Sequence, residues 1–310
     1  MRSSDVEAQS KPGAVIPTDV AENPWPYATR TFQALDYRFA VRSADALLVR
    51  LLDRLYGACA ASGDPDLWYS VAPVDPDARE KDLFVGANRI ARFAEPYWLM
   101  RYLTWHVNRQ AIAQSSRFVL LHAAVAEKQG AGVLLPAASE SGKTTLIAGL
   151  IRSGFGYLTD EAAAIDPRTL LIEPYPKPLT IDPGSWSILP ELAPQSDSDT
   201  GRFFEGQWQV NADSVRSDAV SGRVKPALVV FPRYSRGARL DVEPIARSEA
   251  LVLMLRHTFA VHDAGRRNFE VLGRILPTTK CYRMVSGDLE EACAVIGALL
   301  TEEIAEEESG

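Results

Sequence analysis

Lys143, Thr144 and Thr145 follow directly on Ser141-Gly142, and an Asp160-Glu161 pair stands a short way downstream. One ammonium, two hydroxyls and two carboxylates at this spacing suit the gripping of oxyanions together with a hard cation. Upstream, the apolar run Val133-Leu134-Leu135 predicts a buried strand, and Lys143 opens an apolar-periodic helix. Backbone N–H groups at a helix N-terminus have no intrahelical partners, so a strand–loop–helix of this kind binds phosphate. Ser139, Ser141, Gly142, Lys143, Thr144 and Thr145 are therefore the candidate nucleotide-binding residues, with Lys143 for the outer phosphates and the Thr144 hydroxyl for Mg2+. Two residues depart from the usual loop: Ala137 stands where glycine is usual, and Glu140 puts a carboxylate inside it. That carboxylate repels phosphate unless it points to solvent or pairs with a cation. An ordinary helix start capped by Ser139 or Ser141 is the competing reading.

The elements around this loop define where it opens. Arg117 to Glu127 reads as one long strand, Lys128-Gln129-Gly130 as a tight turn, and Gly132 to Pro136 as the returning strand. The helix from Lys143 runs to about Arg152 and stops at Gly154. Phe155 to Leu158 then forms a short strand with Thr159-Asp160-Glu161 at its end. Ligands of open α/β sheets sit beyond the carboxyl ends of strands, so neighbouring strands bring the loop and the acidic pair to one crevice. Ala162–Asp166 and Leu170–Glu173 read as a hairpin, Pro174 to Pro178 as an irregular edge, and Gln195 to Thr200 as a mobile lid. Later come strands at Lys225–Phe231, Arg239–Pro244 and Cys281–Val285, and helices at Ser248–Thr258, Arg266–Ile275 and Asp288 to about Glu302. His262 to Gly265 reads as a loop. Ahead of the phosphate loop, Tyr37 to Ala113 gives a small β-α-β-β-α unit whose second helix carries Tyr97, Trp98, Tyr102 and Trp105 on a face read as core.

Composition bounds the function classes. The chain has 310 residues with 46% hydrophobic and 24% charged, the balance of a globular protein. A net charge of -7 argues against nucleic-acid and anionic-membrane partners. No apolar run approaches the roughly 20 residues that span a bilayer. Cys59, Cys281 and Cys293 have no paired spacing, which points to reduced thiols in a cytoplasmic protein. The organisation read from these features is a flexible arm (1–30), a small α/β domain (31–113), a phosphate-loop domain (114–303) and an acidic tail (304–310) expected to fray.

From His122 onward the chain resembles the C-terminal kinase domain of the HPr kinase/phosphorylase family, and more closely its HPr-kinase-related branch. The resemblance rests on Leu121-His122-Ala123, on Leu135 to Leu146 with Ser-Gly-Lys-Thr-Thr-Leu, and on Gly154-Phe155-Gly156-Tyr157-Leu158-Thr159-Asp160-Glu161. Pro176-Lys177-Pro178-Leu179 and Phe231-Pro232-Arg233-Tyr234 complete it. It implies an α/β P-loop kinase domain of the HPr kinase / phosphoenolpyruvate carboxykinase type, often homo-oligomeric. It also implies ATP-dependent phosphorylation of a serine hydroxyl on a peptide or protein partner; ribosomal peptide precursors are among this branch's substrates. Glu161 stands where the bifunctional bacterial enzymes have a second Asp, and their long glycine-rich signature is missing.

By that resemblance Asp160 is the general base, Glu161 and Thr144 hold Mg2+, and Lys143 with the loop amides binds ATP. His122 lies beside the transferred group, and Lys177 and Arg233 steady phosphate or substrate. Each has a plainer alternative: Asp160 as a turn cap, His122 as a core histidine, Lys177 and Arg233 as solvated charges. His106, His257 and His262 read as structural or exposed. A small-molecule kinase of the same fold and a non-catalytic nucleotide-binding scaffold remain as alternatives.

Overall fold

In the computed structural model, residues 25–75, 79–138, 141–193, 206, 208–259 and 261–309 are described. Ser139, Glu140 and the Gln195 to Thr200 tract fall outside them, as does most of the expected arm. The chain divides into two units, Met1–Gln114 with Pro194–Trp208, and Ser115–Ala193 with Gln209–Gly310.

The first unit contains β1 (Tyr27–Ala28), β2 (Phe32–Ala34), β3 (Tyr37–Ser43), α1 (Ala46–Leu55), β4 (Leu67–Pro73), β5 (Lys81–Val85), β6 (Asn88–Phe93) and α2 (Pro96–Gln114). The Asp45 carboxylate accepts from the Leu47 and Leu48 amides and so starts α1, whose Leu48, Leu51, Leu52 and Leu55 face the core. Its sheet runs β1-β3-β4-β5-β6, with β2 also on β3. Tyr27 and Ala28, within the stretch expected as an arm, pair with Ser43 and Arg42. The aromatic stripe of α2 departs from its reading as core at Trp98 and Trp105, while Tyr97 is buried as expected. Leu99, Met100, Leu103 and Val107 are the buried side, whereas Trp98 and Trp105 stand exposed. The apolar period of the leucines, not the aromatics, set the buried face.

The second unit contains β7 (Val119–Lys128), β8 (Ala131–Pro136), α3 (Lys143–Arg152), β9 (Gly156–Thr159), β10 (Ala162–Ile165), β11 (Ile172–Glu173), β12 (Leu179–Ile181) and α4 (Pro183–Trp186). Then come β13 (Trp208–Val210), whose first residue is the last of the first unit, β14 (Lys225–Tyr234), β15 (Asp241–Pro244), α5 (Arg247–Arg256), α6 (Val261–Ile275), β16 (Lys280–Ser286) and α7 (Leu289–Ser309). Its sheet is ordered β11-β10-β7-β8-β14-β16-β15, and β9 also pairs with β7. Strands β8, β14 and β16 are parallel, so their carboxyl ends open at one edge. Odd-numbered residues of β7, from Val119 to Val125, join Leu134, Val229, Met254, Leu272 and Ile275 in a core roofed by α5 and α6. Helices α3 and α7 approach so closely that a Cβ on Gly149 would lie 2.8 Å from Leu289 and 2.9 Å from the Cys293 sulfur.

Two expectations are corrected here. The stretch from His262 to Gly265 is helical backbone, part of α6. The acidic end does not fray at Glu302 but stays helical to Ser309. There the Lys280 ammonium holds Glu303 at 3.0 Å and Glu306 at 2.6 Å. No described helix is long and apolar enough to cross a membrane.

Candidate phosphate-binding site

The hairpin β7–β8 turns at Gln129 (φ 53°) and Gly130 (φ 81°), a pair of left-handed residues that matches the twist of the strands. It delivers β8 alongside β7 until Pro136, which pairs with Ala123. The loop then enters α3 through Gly142, whose φ of +88° is the left-handed conformation glycine adopts at little cost. No side chain caps α3 among the described residues, and its first intrahelical bond is Leu146 N to Gly142 O at 2.9 Å. The amides of the first turn are thus left for a ligand. The Ser141 hydroxyl is buried with no hydrogen-bond partner among the described residues. The competing cap reading therefore fails for Ser141; Ser139 lies outside the described residues.

Lys143 is buried and its ammonium donates to the carbonyls of Ala137 and Ala138, both at 2.7 Å. Burial lowers its pKa, against the opposing pull of Glu161 and Asp160. Thr144 Oγ1 donates to Asp160 Oδ2 at 3.1 Å. The neighbouring Thr145 hydroxyl is instead engaged with the Ser185 hydroxyl, 2.6 Å away on α4.

The acidic pair reaches this place through a gap in a strand. Thr159, the last residue of β9, pairs with Val125 of β7 and Ala162 of β10 pairs with His122 in the same register, while Tyr157 and Gly156 of β9 are shifted by one residue across a bulge. Asp160 and Glu161 occupy the interruption between them, at the level of Ala123 and Ala124, and the amides of Glu161 and Ala162 turn to Thr159 Oγ1, both at 3.3 Å. Released from the ladder, the two side chains point where pairing would not send them. The loop and the acidic pair do share an edge, but not on neighbouring strands: β7 runs between β8 and β9.

The two carboxylates have different surroundings. Asp160 is deeply buried; Oδ1 meets the Lys177 ammonium at 2.8 Å and accepts from the Tyr157 hydroxyl at 3.2 Å. With Thr144 on Oδ2, both its oxygens are engaged. Tyr157 Oη also donates to Lys177 O at 3.0 Å, tying the pair to the Pro-rich edge after β11. Glu161 keeps 33% of its side chain exposed and lies 3.6 Å from His122 Nε2. Burial above all raises its pKa, with Lys177 opposing and Asp160 adding to the rise. His122 is pushed down to about 4, chiefly by burial, then by Lys143 and His257, against Asp160. It is therefore a neutral imidazole at neutral pH.

His257 belongs to this site although its sequence gave no sign of it. Beyond the point where β8 leaves β7, residues His257 to Phe259 take over the vacated edge. His122 N donates to His257 O at 2.6 Å, and Phe259 N donates to Leu120 O at 3.0 Å. The Phe259 ring lies 5.7 Å from that of His122. Burial and then Lys143 depress the His257 pKa. Tyr157 was likewise missed; its only signal was its place three residues before Asp160.

Of the predicted site residues, Lys143, Thr144, Asp160, Glu161, His122 and Lys177 gather, with Gly142 and Ser141 in the loop beside them. Lys177 is spent on Asp160 rather than standing free for phosphate. Arg233 lies exposed at the carboxyl end of β14, on the same edge of the sheet, with no hydrogen bond or ion pair to the cluster among the described residues. Tyr234, next to it, has its Cβ 3.6 Å from where a Cβ on Gly142 would stand.

The donor set fits Mg2+. Thr144 Oγ1, Asp160 and Glu161 are hard oxygen ligands beside a helix N-terminus, and Mg2+ binds through one or two carboxylates plus phosphate and water. Among the described residues there is no cluster of three or more His, Cys, Asp or Glu residues able to hold a metal by themselves.

No protein-family model matches the chain, and no curated protein sequence does. Among solved structures, the Hpr(Ser) kinase/phosphatase from Coxiella burnetii is similar at 12% sequence identity, over 61% of this chain and 98% of that one, with a TM-score of 0.31. The likeness is to a kinase-type α/β structure, and at that score it carries no part of the functional argument.

Proposed function

We propose that this chain is an ATP-dependent phosphotransferase that moves the γ-phosphoryl group to a hydroxyl, the acceptor being a serine of a peptide or protein. The observation that carries the reading is the Thr144–Asp160 hydrogen bond. It joins the first turn of a phosphate-loop helix to an acidic pair set in a strand gap. Lys143 and the first-turn amides bind the β- and γ-phosphates, and Lys143 leaves the Ala137 and Ala138 carbonyls to do so. Thr144 Oγ1 and Asp160 Oδ2, which bond each other here, would exchange that bond for Mg2+, which would neutralise phosphate charge.

The roles of the two carboxylates follow their surroundings. Asp160 is saturated by Lys177, Tyr157 and Thr144, so it anchors rather than accepts a proton. Glu161 is the more open, and burial raises its proton affinity. As the acceptor oxygen bonds to the γ-phosphorus and the bridging oxygen departs with ADP, the hydroxyl proton passes to Glu161. Neutral His122 donates or accepts a hydrogen bond beside it.

The test is transfer from γ-labelled ATP with Mg2+ to a panel of serine peptides, proteins and small alcohols. Expected is acceptor-dependent labelling that Lys143→Met and Glu161→Gln abolish. Labelling of small alcohols alone reassigns the acceptor. ATP binding without transfer to any of them leaves a nucleotide-binding protein and overturns the proposal.

A further inference from the structure

Helix α2 presents an unusual outer face. From Pro96 to Gln114 it contains no Asp or Glu; the nearest acid along the chain, Glu95, precedes it. At 100° per residue, Trp98, Arg101, Tyr102, Trp105 and Arg109 fall within an arc of about 100°. Trp98 is 38% exposed and Trp105 47%. The Arg101 guanidinium lies 5.6 Å from the Trp98 ring centroid, and that of Arg109 lies 5.3 Å from Trp105. Tyr102 packs between Phe93, at 5.4 Å, and Trp105, at 5.3 Å. Arg101 donates to Tyr97 Oη at 2.9 Å. Neither arginine has a carboxylate partner among the described residues, although the chain as a whole is net negative by 7.

Indoles hold each guanidinium near the helix, which leaves its remaining N–H groups positioned for a carboxylate. We propose that this face docks an acidic segment of a partner peptide in extended form. The spacing sets its pattern. Arg101 and Arg109 are eight residues apart, about 12 Å along the helix axis. An extended strand advances about 13 Å in four residues and returns a side chain to the same face at every second position. The segment therefore carries two acids four residues apart, with an apolar side chain midway that lies on Tyr102 and Trp105. A single-stranded nucleic acid suits the face less well, because two cations on an acidic protein neutralise too few phosphates. This inference concerns the first unit alone and stands independently of phosphoryl transfer.

The probe is a twelve-residue peptide containing Glu-Thr-Leu-Thr-Glu, compared with its Gln-Thr-Leu-Thr-Gln twin and with a thymidylate 12-mer. Each is titrated into the full chain by calorimetry and tryptophan fluorescence. The Glu peptide is expected to bind at least about tenfold more tightly than the Gln twin and to weaken as salt rises. The R101E/R109E variant loses that preference, and Trp105→Ala weakens binding about fivefold. Trp105 and Arg109 are exposed and Arg101 partly so, and R101Q/R109Q gives a second, uncharged variant. Equal binding of the two peptides, or a preference that survives in both double variants, overturns the proposal; tighter thymidylate binding reassigns the face to nucleic acid. ATP affinity measured on the same samples is unchanged by these substitutions, so failure here is distinct from failure of the phosphate site.

Discussion

Replacing Lys177 by methionine tests the central claim about the acidic pair. The Lys177 ammonium lies 2.8 Å from Asp160 Oδ1, with side chains only 10% and 3% exposed. Removing one partner of a buried ion pair strands the other charge, at a cost of about 3–5 kcal/mol. Asp160 would still accept from Thr144 and Tyr157, which holds the loss near the lower end, about 3 kcal/mol. With a urea slope of about 3 kcal/mol per M, the unfolding midpoint falls by about 1 M. Asp160→Asn combined with Lys177→Met removes both charges of the pair; the Asn carbonyl still accepts from the Tyr157 hydroxyl, and the amide N–H donates to Thr144 Oγ1 in place of the bond the carboxylate accepted. The double variant is therefore expected to lose only about 1 kcal/mol, giving a coupling of about 2 kcal/mol or more in a double-mutant cycle. Urea melts of the four proteins, followed by circular dichroism, supply the numbers. A Lys177→Met protein within about 0.5 kcal/mol of the parent, or a double variant no better than the sum of the singles, would refute the reasoning.

Other outcomes follow from the same geometry. His122 titrates at about 4 in the fold against an ordinary 6.5, so the unfolded chain takes up the proton first as pH drops. Its contribution is complete above about 6.5 and is lost toward 4; His122→Gln flattens the fall in urea midpoint over that window, with a residual slope from His257, which is shifted the same way. Gly154 ends α3 at φ +94° with open space where a Cβ would go, so Gly154→Ala costs about 1–2 kcal/mol of backbone strain alone. Gly156→Ala costs more, because its Cβ would lie 1.8 Å from Ser221 Oγ and 2.5 Å from Glu127 Oε1; Ser221→Gly in the same chain recovers part of the loss in thermal melts. ATP with Mg2+ at about a hundred times its dissociation constant stabilises by about 2.7 kcal/mol, seen as a rise in Tm that vanishes in Lys143→Met.

The local grammar of the phosphate site was readable in the chain. An apolar strand, a left-handed glycine and an apolar helix follow from neighbouring residues. So does the stop at Gly154, whose amide bonds Ile151 O at 3.0 Å while Phe155 N bonds Leu150 O at 3.0 Å. What escaped was set by residues distant in sequence. Lys177 looked like a free cation until the edge after β11 folded it onto Asp160. His257 lay in an unremarkable stretch and entered the site only because β8 vacates an edge of β7. The strand gap at Asp160 depends on Thr159 and Ala162 both pairing with β7, which no local pattern declares. The aromatics of α2 misled because their hydrophobicity outweighed the period of the leucines beside them.

Lys143 adds a consequence of its own. Its ammonium is held by two of the loop's own carbonyls. A newcomer must offer that ammonium something better than a pair of neutral oxygens before it can enter. Sugars, nucleosides and other uncharged molecules have nothing of the kind. The lysine thus favours an anion over an uncharged molecule whatever the shape of either.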